Sequence, residues 1–122
     1  MKPRLTLALV VTFVTSLLLA QDAKRIPAKD AKAQIGKTTV VFGTVAEVHK
    51  TDAITRLNFD QPFPRQTFTA VIFPQKFNLF TNLTDLKGKT VEVSGTIADY
   101  RGQAQIILTS KDQLKVVEPA KP

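Results

Sequence analysis

The sequence predicts an all-β domain with short helices: a five-stranded Greek-key barrel with one helix between strands three and four. Three observations carry this. Segments of alternating apolar and polar residues, rich in Val, Ile, Phe and Thr, recur along the chain and are separated by polar, Gly- or Pro-containing turns. Two of these segments hold a glycine at the same place in the pattern, Val41-x-Gly43-x-Val45 and Val93-x-Gly95-x-Ile97. Their order along the chain is three strands, an apolar helical stretch, then a hairpin.

Residues 26–36 predict a short helix, with Pro27 at a first helical position and frequent alanine. Its Ile26, Ala31 and Ile35 form a stripe suited to covering a barrel end. Residues 38–48 predict a long strand with Val41, Gly43 and Val45 on one face, where Gly43 serves a bend or a close backbone approach. A polar turn at 49–53 leads into strand two, residues 54–59, with Leu57 and Phe59 sharing a face. The loop 60–66 contains Pro62 and Pro64. Strand three, residues 68–73, is apolar on both faces, which calls for the barrel interior on one side and a helix or ligand on the other. Pro74 stops it and opens a helix whose Phe77, Phe80, Leu83 and Leu86 recur every third residue. Strand four covers residues 90–98, Asp99-Tyr100-Arg101-Gly102 is a hairpin turn, and strand five covers 103–109 with Ala104, Ile106 and Leu108 inward. Residues 113–117 add a short closing strand, and the Pro-containing tail, 118–122, is expected to be disordered.

The first 20 residues have a different character. Lys2 and Arg4 precede an apolar run from Leu5 to Leu19, which ends at Ala20 before the polar Gln21 and Asp22. A basic start, an apolar middle and a small-residue end are the layout of a secretory signal peptide, and the run is shorter than the roughly 20 residues of a spanning helix. Leu18 departs from the small-x-small cleavage pattern, so a retained anchor is the alternative to cleavage after Ala20. Export to the periplasm or the medium is expected, with no membrane association of the mature form. The organisation is then a signal peptide (1–20), an N-terminal segment with a short helix (21–36), a barrel (37–117) and a tail (118–122).

About 100 residues remain after cleavage, enough for one domain. The chain has no Cys, so its core holds the fold without disulfides, and thiol chemistry is excluded. Without Lys2 and Arg4, 15 basic residues face 10 acidic ones, a net charge of about +5 that draws anionic polymers.

The segment Ile35-Gly36-Lys37 with Val41-Phe42-Gly43-Thr44-Val45 resembles the opening of OB-fold domains of the tRNA-anticodon and helicase nucleic-acid-binding type. The stretch from Leu86 through Val91-Glu92-Val93-Ser94-Gly95-Thr96-Ile97 resembles their fourth strand, and Tyr100-Arg101-Gly102-Gln103-Ala104-Gln105-Ile106 their closing hairpin. The strand from Phe68 to Phe73 resembles small exported bacterial OB-fold proteins. The resemblance covers nearly all of the chain after the signal peptide. It implies an OB barrel whose strands two and three, with loops 1–2 and 4–5, bind single-stranded nucleic acid, DNA or RNA.

Such a face needs basic residues along the backbone and exposed aromatic rings under the bases. The candidates are Lys50 in loop 1–2, Arg56 and Asn58 on strand two, Arg65 before strand three, and Tyr100 and Arg101 in loop 4–5. His49 and the outward-pointing members of Phe42, Phe63 and Phe73 are secondary candidates. The competing account is that the phenylalanines belong to the core, the arginines solvate a sheet face, and His49 is a loop residue. No catalytic residue, metal site or cofactor is predicted: one His and no Cys give no metal cluster, no Ser lies in a nucleophile elbow, and Asp52, Asp60 and Asp99 fall in turns. Two function classes follow. One is an exported, non-enzymatic module for single-stranded nucleic acid or a similar anionic polymer, of which an acidic oligosaccharide is a variant. The other is a cell-envelope module that senses a ligand or docks a protein partner.

Overall fold

A computed structural model describes residues 25–117. The expected signal peptide and tail lie outside the described residues. Eight strands follow one another as β1 (Arg25–Pro27), β2 (Thr38–Lys50), β3 (Thr55–Phe59), β4 (Phe68–Ile72), β5 (Thr90–Thr96), β6 (Ala98–Tyr100), β7 (Gln103–Ile107) and β8 (Leu114–Val116). The five predicted strands are β2, β3, β4, β5 and β7. Short 3₁₀ helices occupy Ala28–Gln34, Pro74–Leu79, Leu83–Leu86 and Lys111–Gln113.

The sheet order is β6-β7-β4-β3-β2-β5-β8, with β1 running parallel beside β2. β2 is the shared strand. Its first half, Thr38 to Thr44, pairs antiparallel with β5, and its second half, Val45 to Lys50, pairs antiparallel with β3. The inward residues follow the predicted alternation: Val41, Val45, Leu57, Phe59, Val91, Val93, Ala104, Ile106 and Leu108 are all fully buried. Phe59 and Phe68 pack edge to face, their ring centroids 5.2 Å apart. Removing a side chain of this size from water contributes on the order of 1.5–3 kcal/mol.

Three expectations are corrected. The segment 26–36 is not one helix. Ile26 pairs with Val41 in a parallel ladder, so the chain stays extended through Pro27 and only then turns. In the 3₁₀ helix that follows, residues three apart eclipse one another, so Ala28 and Ala31 form the buried stripe while Ile35 stays exposed. The apolar run after Pro74 is likewise two 3₁₀ segments, parted where Asn82 adopts φ +59°. Leu83 and Leu86 are buried from the second segment, and Phe80 is buried from the extended residue that ends the first.

The third correction concerns closure. β5 and β7 lie against each other but share no ladder, so the sheet is not closed into a barrel. The Gln113 side chain spans the seam instead. Its Nε2 donates to Ser94 O on β5 at 2.9 Å and to Ile107 O on β7 at 3.3 Å. Its Oε1 accepts from the Thr109 and Ser110 amides at 2.8 and 3.0 Å. Gly95 allows this approach: it sits at φ +148°, and a Cβ there would lie 2.8 Å from Ile106 Cγ2 and 3.0 Å from Gln113 Nε2.

Gly95→Ala should therefore lower stability by more than about 2 kcal/mol, since backbone strain of this kind alone costs of order 1–3 kcal/mol. Urea unfolding of the variant beside the wild type measures this, and a loss below about 0.5 kcal/mol, the usual range of a neutral surface change, would contradict the account of the seam.

Candidate functional site

β3 alternates strictly. Thr55, Leu57 and Phe59 face the core, so Arg56 and Asn58 stand on the outer face. Register extends that face across four strands. Glu47, Asn58, Thr69 and Gln105 form one row, and His49, Arg56, Val71 and Ile107 the next. On β2 this placement depends on a bulge. The register shifts between Val45 and Glu47, leaving Ala46 as an extra residue. Unbroken alternation from Val41 and Val45 would send Glu47 inward; the bulge turns it outward beside Asn58.

A directional hydrogen-bond chain ties the rows together. Glu47 Oε1 accepts from Asn58 Nδ2 and from the Phe63 backbone N–H, each at 2.9 Å. The carboxylate can only accept, so Asn58 turns its amide nitrogen to Glu47 and its oxygen to β4. There Thr69 Oγ1 donates to Asn58 Oδ1 at 3.1 Å. The Thr69 hydroxyl in turn accepts from Gln66 Nε2 at 3.4 Å. Gln103 Nε2 on β7 donates to the Gln66 carbonyl at 2.9 Å, which fastens the loop before β4 to the hairpin.

The two bonds to Glu47 hold its carboxyl below the usual carboxylate range. The Phe63 N–H has the largest effect and the Asn58 amide the next; partial burial opposes them, and the charges of His49 and Lys87 add to them.

Two hollows lie on this face. The larger, about 420 Å³, is lined among others by Arg56, Phe63, Tyr100, Arg101, Gln103 and Gln105. The smaller, about 250 Å³, is lined by Glu47, His49, Arg56, Asn58 and Phe63. Arg56 and Phe63 line both, so the hollows are neighbouring parts of one groove. Phe63 is 69% exposed and Tyr100 47% exposed, so both rings are open to solvent at the groove. Tyr100 and Arg101 are presented by the β6–β7 hairpin, whose tip residues Arg101 and Gly102 both have positive φ, 55° and 84°. Asp99 Oδ1 accepts from the Gly102 N–H at 2.9 Å and fixes the turn. The Arg101 guanidinium lies 5.3 Å from the Tyr100 ring centroid.

The structure thus gathers Arg56, Asn58, Tyr100 and Arg101. Asn58 is buried and spends both ends of its amide on Glu47 and Thr69, so it positions its neighbours. Lys50 and Arg65 are exposed and line neither hollow. Strand β2 runs through His49 and Lys50, so the turn is confined to 51–54 and His49 lies on the sheet. Of the secondary aromatics, Phe63 and Phe73 point out, whereas Phe42 is half-buried under the Arg25 guanidinium, 5.3 Å from its ring centroid. Glu47 and the paired Gln103 and Gln105 went unnoticed in the sequence. Alternation along 103–107 would have found the glutamines, but nothing marks the bulge that exposes Glu47.

No protein-family model and no curated protein matches the chain. Solved structures match it in shape. Two OBody domains, AM1L10 and AM3L15, each bound to hen egg-white lysozyme, align with a TM-score of 0.58 at 14% and 16% identity. The first alignment covers 80% of this chain and 96% of the other; the second covers 82% and 94%. The fold is an OB fold. The asparaginyl-tRNA synthetase from Pyrococcus horikoshii also carries it, with a TM-score of 0.52 at 16% identity over 76% of this chain and 23% of the synthetase. The chain therefore spans about a quarter of that enzyme's length.

Because folding lowers the Glu47 pKa, the unfolded chain takes up this proton more readily. The stability it contributes is whole above the ordinary Glu range and is lost as pH falls below that range and through the lower pKa of the folded state. The stability gap between wild type and Glu47→Gln should accordingly shrink between neutral pH and about pH 3.5. Urea unfolding at both pH values tests this, and a gap that widens on acidification would contradict it.

Proposed function

We propose that the chain is an exported, non-enzymatic OB module that binds single-stranded nucleic acid through the groove of Arg56, Phe63, Tyr100 and Arg101. One observation carries the reading: two exposed rings and two arginines line a single hollow on the outer sheet face. Rings stack on bases of any identity, and guanidinium groups neutralise phosphates and stack as well. The occurrence of the same fold in a tRNA synthetase is in keeping with this. Export is supported by the basic start and apolar run of residues 1–20.

Fold alone does not choose the ligand, since the OBody domains that share it are bound to a protein, lysozyme. Docking of a protein partner is the second reading, favoured by the exposed Val116 on the edge strand β8. The two readings differ in their response to salt. Phosphate contacts release counterions, so single-strand binding weakens steeply as salt rises, by roughly 0.7 in logarithmic slope per contact.

Fluorescence anisotropy with a labelled single-stranded oligonucleotide should show micromolar or tighter binding at low salt. Arg56→Ala and Arg101→Ala should each lower the salt slope by up to about one contact, and Phe63→Ala or Tyr100→Ala should weaken binding about tenfold or more. Absence of binding at low salt, or variants that all bind like the wild type, would remove the nucleic-acid reading and leave the protein-docking one.

A further inference from the structure

The groove is not uniformly basic. The larger hollow has Arg56 and Arg101 and no acidic residue in its lining, whereas the smaller has Glu47 in its lining. A phosphate in the smaller hollow would face a carboxylate, and a stacked base would not suffer from it. The charges therefore divide the groove into a side for the backbone and a side for a base.

The Glu47 carboxylate is also oriented. Oε1 is taken by the Asn58 amide and the Phe63 N–H, and Oε2 has no hydrogen bond among the described residues. An acceptor is thus left free beside the exposed Phe63 ring, with the Arg56 donors lining the same hollow.

Resting on the nucleic-acid reading above, we infer that the smaller hollow selects a base with an exocyclic amino group, excluding uracil and thymine. The amino group donates to Glu47 Oε2, the ring lies on Phe63, and Arg56 donates to the adjacent ring nitrogen. Cytosine offers an amino group beside an unprotonated ring nitrogen, and adenine does the same. Uracil and thymine carry carbonyl oxygens at both exocyclic positions, and their one N–H sits between them, so two acceptors would confront the carboxylate. An amino-to-carboxylate contact of this kind discriminates by roughly five- to a hundredfold.

The test compares oligodeoxycytidine with oligodeoxyuridine of equal length near pH 7.5, since their bases differ only in the 4-amino and 4-carbonyl edge. The wild type should bind the cytosine oligomer about tenfold more tightly. In Glu47→Gln the amide oxygen inherits the two donors that held Oε1, so its NH₂ points into the hollow and the preference should collapse or reverse. Equal binding of the two oligomers by the wild type, or an unchanged ratio in a folded Glu47→Gln, would overturn this selectivity while leaving groove binding intact. Binding of neither oligomer would overturn both. The wild-type ratio stands as a test by itself should the variant fail to fold.

Discussion

β2 belongs to both halves of the sheet, and the bend that lets it do so constrains everything else. Up to Thr44 it pairs with β5; from Val45 it pairs with β3. Gly43 sits at the changeover, where a Cβ would come within 3.0 Å of both Ala28 Cβ and Phe59 Cδ2. Glycine suits this close packing, since a Cβ there would crowd Ala28 of the first 3₁₀ helix and the Phe59 ring. Three residues later the bulge at Ala46 restores Val48 to the core side and turns Glu47 outward. One irregular stretch of five residues therefore both coils the sheet and supplies the acidic member of the site.

The outer face is held by polar contacts of fixed direction. Glu47 can only accept, and that decides the orientation of Asn58, then of Thr69, then of the Gln66 amide. Such a chain orients the face before any ligand arrives and keeps the Phe63 loop docked against β2 through its backbone N–H. The charged and aromatic groups around it remain available: Arg56, Phe63, Tyr100 and Arg101 all border open space. An oriented face with an accessible rim suits binding that reads shape and charge, and Glu47 adds an element that distinguishes bases from phosphates.

Much of this was legible in the sequence, for reasons that particular residues make clear. Alternation through Leu57 and Phe59 placed Arg56 and Asn58 outward, and the hairpin at Tyr100 and Arg101 followed from its turn residues. The paired glycines announced tight places in two strands, and both are sites where a Cβ would collide. What escaped depends on tertiary contacts. The seam bridge at Gln113 is one glutamine among polar residues, and nothing local tells that it replaces a ladder between β5 and β7. The exposure of Phe63 follows from how its loop docks on Glu47, sixteen residues away. A spacing of three at Phe77, Phe80, Leu83 and Leu86 fits one short helix as well as two 3₁₀ segments, and only Asn82 at φ +59° separates them.

The claim that the outer sheet face is the binding surface is tested most directly by residue-resolved NMR, titrating isotope-labelled protein with a short single-stranded oligonucleotide. The account predicts that the amide resonances of Glu47, Arg56, Phe63 and Tyr100 through Gln105 shift together in one saturable process, with the β8 edge at Val116 unmoved. Shifts confined to β8, or to the β1 side around Arg25 and Phe42, would contradict it.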